Sequence, residues 1–294
     1  DFLSKKKVFF TISLVLIAAG VITIGVNAGR GKGAFAYSLE FQGGTSTNVT
    51  FDKDYSIDEI DKEIVPVVEK VTGDNNVQTQ KVAGTNQVII KTVTLDLDKR
   101  EALNKAMVDN FGVDESKITA ENISSTVSNE MRRDAVIAVV IATICMLLYI
   151  WFRFKDIRFA TSAVLALLHD VLVVVGFYAI ARISVGNTFI ACMLTIVGYS
   201  INATIVIFDR IREEMRGKTK SSDVAAVVNK SITQTLTRSI YTSLTTFIMV
   251  AVLYVMGVSS IKEFALPLMV GVVCGAYSSV CITGALWYVM KRFK

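Results

Sequence analysis

Six runs of roughly 20 apolar residues, at 8–26, 134–152, 159–181, 187–208, 239–257 and 264–290, limit what this chain can fold into. A helix crossing about 30 Å of hydrocarbon needs a run of that length, because in lipid every backbone donor and acceptor must be satisfied within the segment. The runs predict a polytopic α-helical membrane protein with six transmembrane helices, the last long enough to tilt. Composition agrees, with 52% hydrophobic residues, 19% charged and a mean hydropathy of +0.50. The first run follows Lys5, Lys6 and Lys7, as a signal peptide would. It exceeds the usual apolar core of about 7–15 residues and no small-residue cleavage site follows it, so it predicts an anchor.

Lys and Arg between the runs predict the orientation. Basic groups cluster at Lys5 to Lys7, at Arg153, Lys155 and Arg158, from Arg210 to Arg238, and at Lys291, Arg292 and Lys294, whereas the other short loops hold only Arg182 and Lys262. Both termini are therefore expected in the cytoplasm, with three domains. These are 1–26, a cytoplasmic N-terminus and the first transmembrane helix; 27–133, an extracytoplasmic domain; and 134–294, a five-helix bundle with a cytoplasmic C-terminus. The net charge of +5 reads as this topology signal rather than a nucleic-acid footprint. All four cysteines, Cys145, Cys192, Cys274 and Cys281, fall in the spans, where they serve as small apolar packing residues.

In 27–133 the pattern turns to short segments. Residues 37–41 and 47–51 read as extended and are split by Gly43 and Gly44. Residues 58–71 read as a helix with Ser56 as N-cap and Gly73 as its stop, although Pro66 lies inside it. Residues 77–82 and 87–93 read as a hairpin turning at 84–86, 98–111 as a helix ending at Gly112, and 117–127 as a closing strand. The order β-α-β-β-α-β predicts a ferredoxin-like α+β domain. It holds no His and no Cys, and its 13 basic and 17 acidic residues give a net charge of −4, too mild to name a partner. A rigid interaction module is the reading favoured over an enzyme.

The spans carry polar groups that an anchor does not need. His169, the only His, precedes Asp170, which lies 12 residues beyond Arg158 and so about 18 Å along a helix, near mid-membrane. A bare carboxylate there is costly, so Asp170 must face the bundle interior, pair, or be protonated. Neighbouring helical residues point about 100° apart, so the two cannot both face one partner squarely. Two readings stand: a hydrogen-bonded packing residue, or a proton or ion pathway. The fourth run carries Thr195, Gly198, Tyr199, Ser200, Asn202 and Thr204 before ending at Asp209 and Arg210. These residues fit either a wetted funnel or close-packing helix contacts. Arg238 opens the fifth run at a position suited to snorkelling. Gly271, Gly275, Ser278 and Ser279 in the sixth allow close helix approach, and Pro267 is placed in its first turn. No phosphate-binding loop, metal-ligand cluster or nucleophile–base pair occurs, which predicts no enzyme, no metal and no cofactor.

The string Gly198-Tyr199-Ser200-Ile201-Asn202, then Thr204, then Phe208-Asp209-Arg210-Ile211-Arg212-Glu213, resembles the signature of the SecF branch of the SecD/SecF family. Gly43-Gly44-Thr45, Leu168-His169-Asp170, residues 233–238 (TQTLTR) and Tyr277-Ser278-Ser279 match in order along nearly the whole chain. The resemblance implies an accessory subunit of the Sec protein-export machinery in the bacterial inner membrane. It implies SecD as a partner supplying a pseudo-symmetric six-span half, docking near the SecYEG translocon, contact with the translocating preprotein, and use of protons driven across membrane lipid. No nucleic acid is implied. Asp170, Arg238, Asn202, Thr204 and His169 are then the expected proton-pathway residues. The relatives commonly carry Asp between the Asn and Thr of the motif, where this chain has Ala203, so that role does not transfer. Three explanations stay open: an altered position, another carboxylate such as Asp170 or one in SecD, or weaker proton coupling. The alternative function is a scaffold that recruits translocon subunits without conducting protons; a resistance-nodulation type exporter is a more distant third.

Overall fold

The structure, a computed structural model, describes residues 2–30, 33–74, 77–82, 85–154, 156–216, 223–257 and 259–292. Its elements in chain order are α1 (Lys6–Gly29), β1 (Gly44–Thr50), α2 (57–72), β2 (Gln78–Lys81), β3 (Gln87–Thr92), α3 (Leu97–Phe111), β4 (Ile118–Ile123), α4 (Ser125–Phe154), α5 (Ile157–Ala181), α6 (Asn187–Met215), α7 (Val224–Met256) and α8 (259–292). The chain divides into two compact units, Tyr37–Val136 with Val258–Ser260, and the remainder.

In the smaller unit the four strands form one antiparallel sheet in the order β2-β3-β1-β4. The register sets Val49 opposite Val88 on one side and Ile118 on the other, so alternation puts an apolar row on one face. Onto it pack Ile60, Ile64 and Val68 of α2 and Leu103 and Met107 of α3, all buried. Gly43 and Gly44 take φ of 74° and 142°, a region closed to most side chains, which lets the chain turn into β1. Thr45 is then fully buried: it donates to Asn122 Oδ1 at 2.5 Å and accepts the Leu95 N–H at 2.8 Å.

Several expectations need correction here. Residues 37–41 are not one extended segment, since Leu39–Gln42 form a helical turn. The closing strand stops at Ile123 because α4 begins at Ser125. Helix α2 contains a π segment, Ile60–Ile64, just before Val65–Thr72, which places Pro66 in the first turn of the final α segment, where a missing N–H costs little. Of the hairpin turn, Gly84 lies outside the described residues.

Helix α2 starts on a capping box in which Ser56 accepts the Glu59 N–H while Glu59 accepts the Ser56 N–H. The Lys53 ammonium, and then the Ser56 donors, hold the Glu59 carboxyl down at about 2. A carboxyl lowered in the folded state contributes stability above its unfolded value of 4.5 and loses it as pH falls toward 2. Glu59→Gln is expected to flatten the decline of thermal stability over that acid interval. An unchanged slope in melts of the full chain would exclude this contribution.

Among the described residues six helices are long and apolar enough to cross a membrane: Lys6–Gly29, Val127–Arg153, Ile157–Ala181, Asn187–Met215, Val224–Met256 and Ile261–Lys291. The fifth begins well before residue 239, where the apolar run starts, because Asp223 accepts the Ala225 and Ala226 N–H groups and caps it there. Arg238 is therefore inside a helix rather than at its opening. Helix α8 runs as Ser259–Tyr277, a π segment Ser278–Thr283, and Gly284–Arg292, which puts Pro267 in its interior instead of its first turn.

Helices α5 and α8 are the most enclosed, while α4 and much of α7 present apolar faces outward. Two glycine contacts set the spacing. Gly20 of α1 meets Gly176 of α5 so closely that a Cβ on either would fall within 3 Å of the other's Cα. Gly271 and Gly275 of α8 pack on Ile196 and Ser200 of α6. The Phe159 ring sits between Phe208 and Trp287, at centroid distances of 4.7 and 4.8 Å.

Candidate functional site

Asp170 stands near the middle of α5 and is fully buried. Its Oδ2 accepts from Ser200 Oγ of α6 at 2.5 Å and from Ser278 Oγ of α8 at 2.7 Å. Its Oδ1 lies 2.9 Å from His169 Nδ1. Three helices thus aim donors at one carboxyl, and the arrangement is possible because Gly275 brings α8 against Ser200. Ser278 is the first residue of the π segment, whose wider turn is closed by Thr283 Oγ1 donating to the Ser278 carbonyl at 3.0 Å. The carboxyl is thus removed from water and enclosed by polar side chains.

His169 is 7% exposed and does not look away from Asp170: its ring folds back onto the neighbouring carboxyl. The ring also lies 6.1 Å from that of Tyr277, whose hydroxyl donates to the Phe9 carbonyl of α1 at 2.8 Å.

The remaining sequence candidates fall elsewhere. Tyr199, Asn202, Ala203, Val206, Arg238, Ser239 and Thr242 line a cleft of about 50 Å³ between α6 and α7, with room for a few waters. Tyr199 donates to Ser243 Oγ at 2.9 Å beside it. Arg238 is exposed, and no side-chain partner for its guanidinium is among the described residues. Helix α6 separates the two sites, with Ser200 reaching Asp170 while the stripe of Tyr199, Asn202, Ala203 and Val206 faces the cleft. Thr204 is buried and lines neither, and Gly198 is exposed with open space where a Cβ would stand.

Asp209 and Arg210 do not pair with each other. Asp209 binds Arg153 of α4 at 2.8 Å, and Arg210 binds Glu213, Glu214 and Gln234, the last on α7. They tie the end of α6 to the end of α4 and to the interior of α7. Of the basic groups used to read orientation, Lys155, Lys218, Lys220 and Lys294 lie outside the described residues. Sequence reasoning missed that Ser200 and Ser278 are the partners of Asp170. Each is 30 or more positions away, at separations of 30 and 108, and no local pattern links them.

Comparison with known proteins gives a consistent picture. The family model described as "Protein export membrane protein SecD/SecF, C-terminal" matches residues 103–293. The chain is 36% identical to protein translocase subunit SecF of Petrotoga mobilis, over 97% of this chain and 94% of that one. It is also 36% identical to SecDF of Bacillus subtilis, covering 99% of this chain but 38% of the relative. The crystal structure of SecDF from Thermus thermophilus is similar with a TM-score of 0.84 at 30% identity, covering 99% of this chain and 38% of that one. A SecDF structure in the super-membrane-facing form gives a TM-score of 0.67. The chain therefore spans nearly all of a SecF and a little over a third of a SecDF.

Proposed function

The chain belongs to the SecD/SecF family of protein export membrane proteins, and from that premise we propose that it acts with a SecD partner at the SecYEG translocon, drawing preproteins outward with the proton-motive force. The observation that carries the proton part is Asp170, a fully buried mid-helix carboxyl held by donors from three helices. A group so placed is a proton site whose two charge states favour different helix arrangements. Proton movement is a sufficient drive: one charge crossing 100 mV supplies about 2.3 kcal/mol.

The partner reading rests on the outer faces of α6 and α7. Asn202 and Arg238 are exposed there, and facing hydrocarbon they would be costly. A SecD helix covering this face, with an acid opposite Arg238, removes that cost. The basic residues at the ends of α4 and α6 support a cytoplasmic location for those ends and for both termini. The smaller unit then lies outside. Its antiparallel order β2-β3-β1-β4, with two helices on one face, supports a ferredoxin-like module that contacts the emerging preprotein.

One observation favours the scaffold reading: the cleft beside Arg238 holds Ala203 and no carboxylate among its lining residues. Ala203→Asp separates the two. In vesicles holding this chain, SecD and SecYEG, the proton-dependent reading expects the variant to raise gradient-stimulated export by roughly tenfold, the equivalent of about 1.4 kcal/mol. Export that is indifferent both to the variant and to the gradient supports the scaffold.

A further inference from the structure

One polar atom of the Asp170 site is left over. His169 Nδ1 is engaged by Asp170, but Nε2 is buried and has no hydrogen-bond partner among the described residues. Buried polar atoms are nearly always satisfied, and an orphan of this kind calls for a water or a function. With Nδ1 donating to Asp170, Nε2 presents the lone pair of a neutral imidazole, directed away from the carboxyl into the bundle.

We propose that His169 is a proton port of the Asp170 site, binding water at Nε2 and passing protons through the ring to the carboxylate. The inference rests on Asp170 being a proton site. A hydronium ion reaching the bound water breaks one O–H bond and leaves water as an N–H bond forms at Nε2, and the Nδ1–H bond breaks as its proton passes to Asp170 Oδ1. This leaves a neutral carboxyl and a neutral imidazole in the other tautomer, with charge conserved. The opposite sequence discharges the site. The route ends at Oδ1, whereas the Ser200 and Ser278 hydroxyls meet the other carboxyl oxygen.

The surroundings fit a relay better than a fixed ion pair. The titratable groups facing the pair are Tyr277 and Cys274 of α8; α6 offers Ser200, which does not titrate. Helix α1 reaches Tyr277 through Phe9 and Ser13 and carries no titratable side chain beyond its opening Lys6 and Lys7. None of these named neighbours carries a fixed cation facing the pair.

The test uses the full chain with SecD in vesicles of phosphatidylethanolamine and phosphatidylglycerol containing a pH-sensitive dye. Proton uptake is followed between about pH 5 and 8, where an imidazole titrates. His169→Asn keeps an amide N–H for Asp170 but has no second nitrogen to bind the incoming proton. Its uptake is expected to fall roughly a hundredfold and to lose the imidazole-like pH dependence. Wild-type uptake and profile in His169→Asn would overturn the relay while leaving Asp170 as the proton site. Wild-type uptake in Asp170→Asn would overturn both. Should His169→Asn fail to assemble, infrared difference spectra of the wild type after a pH jump decide the matter. Imidazole and carboxyl bands changing together support the relay, and a carboxyl change without an imidazole change overturns it.

Discussion

Asp170→Asn is expected to abolish the gradient-driven part of export while leaving a folded chain that still pairs with SecD. The amide matches the carboxyl in size, and the Ser200 and Ser278 hydroxyls can rotate to accept from it, so few buried donors or acceptors are left unmatched. What is lost is the group that binds a proton. If one proton moves per cycle, the lost bias is about 2.3 kcal/mol per 100 mV, close to fiftyfold in the driven step. Asp170→Ala is a poorer probe, because it strands the donors of Ser200, Ser278 and His169 at about 1–3 kcal/mol each and confounds function with stability. The measurement is preprotein export into vesicles with and without an imposed proton gradient. If Asp170→Asn exports as the wild type does in both conditions, Asp170 has no part in coupling.

The second large effect concerns the crossing of α1 and α5. A Cβ added at Gly20 would stand 2.6 Å from Gly176 Cα, and one added at Gly176 would stand 2.9 Å from Gly20 Cα. Because the obstructing atoms are backbone on both sides, no rotamer relieves the contact and the helices must part. In a membrane, where helix association depends on close van der Waals packing, this removes the contact along the whole crossing. Gly20→Ala and Gly176→Ala are each expected to cost about 1–3 kcal/mol, and Gly176→Leu more. Gly25, on the same helix with open space around it, supplies the control. Gly25→Ala is expected to melt as the wild type does in detergent, and Gly20→Ala several degrees lower. Equal melting of the two would mean that the crossing does not limit stability.

The parts legible in the sequence were those governed by local rules. Gly112 ends α3 as a left-handed stop, and Ser56 and Gly73 bracket α2, because caps act within one turn; the Asp96 cap that starts α3 was not read. The start of α7 was misplaced for the converse reason. Hydropathy rises only near residue 239, whereas the cap that starts the helix is Asp223, in a polar stretch that no apolar run marks. The π segment that delivers Ser278 to Asp170 was not legible either, since nothing in its sequence differs from an ordinary apolar helix.

By itself the sequence determined the six spans, because the thickness of a bilayer demands runs of that length, and it determined that Asp170 had to be buried or paired, because a carboxylate at that depth is costly in lipid. Only the tertiary structure decided which groups meet it. The donors come from α6 and α8, and Gly275 sets their approach, while Arg238 and Ala203 face a separate cleft. The reason is physical: a span is fixed by its own residues against lipid, but a hydrogen bond between helices depends on how far apart and at what rotation two remote segments pack, and that distance is set by side chains that do not neighbour one another in the chain.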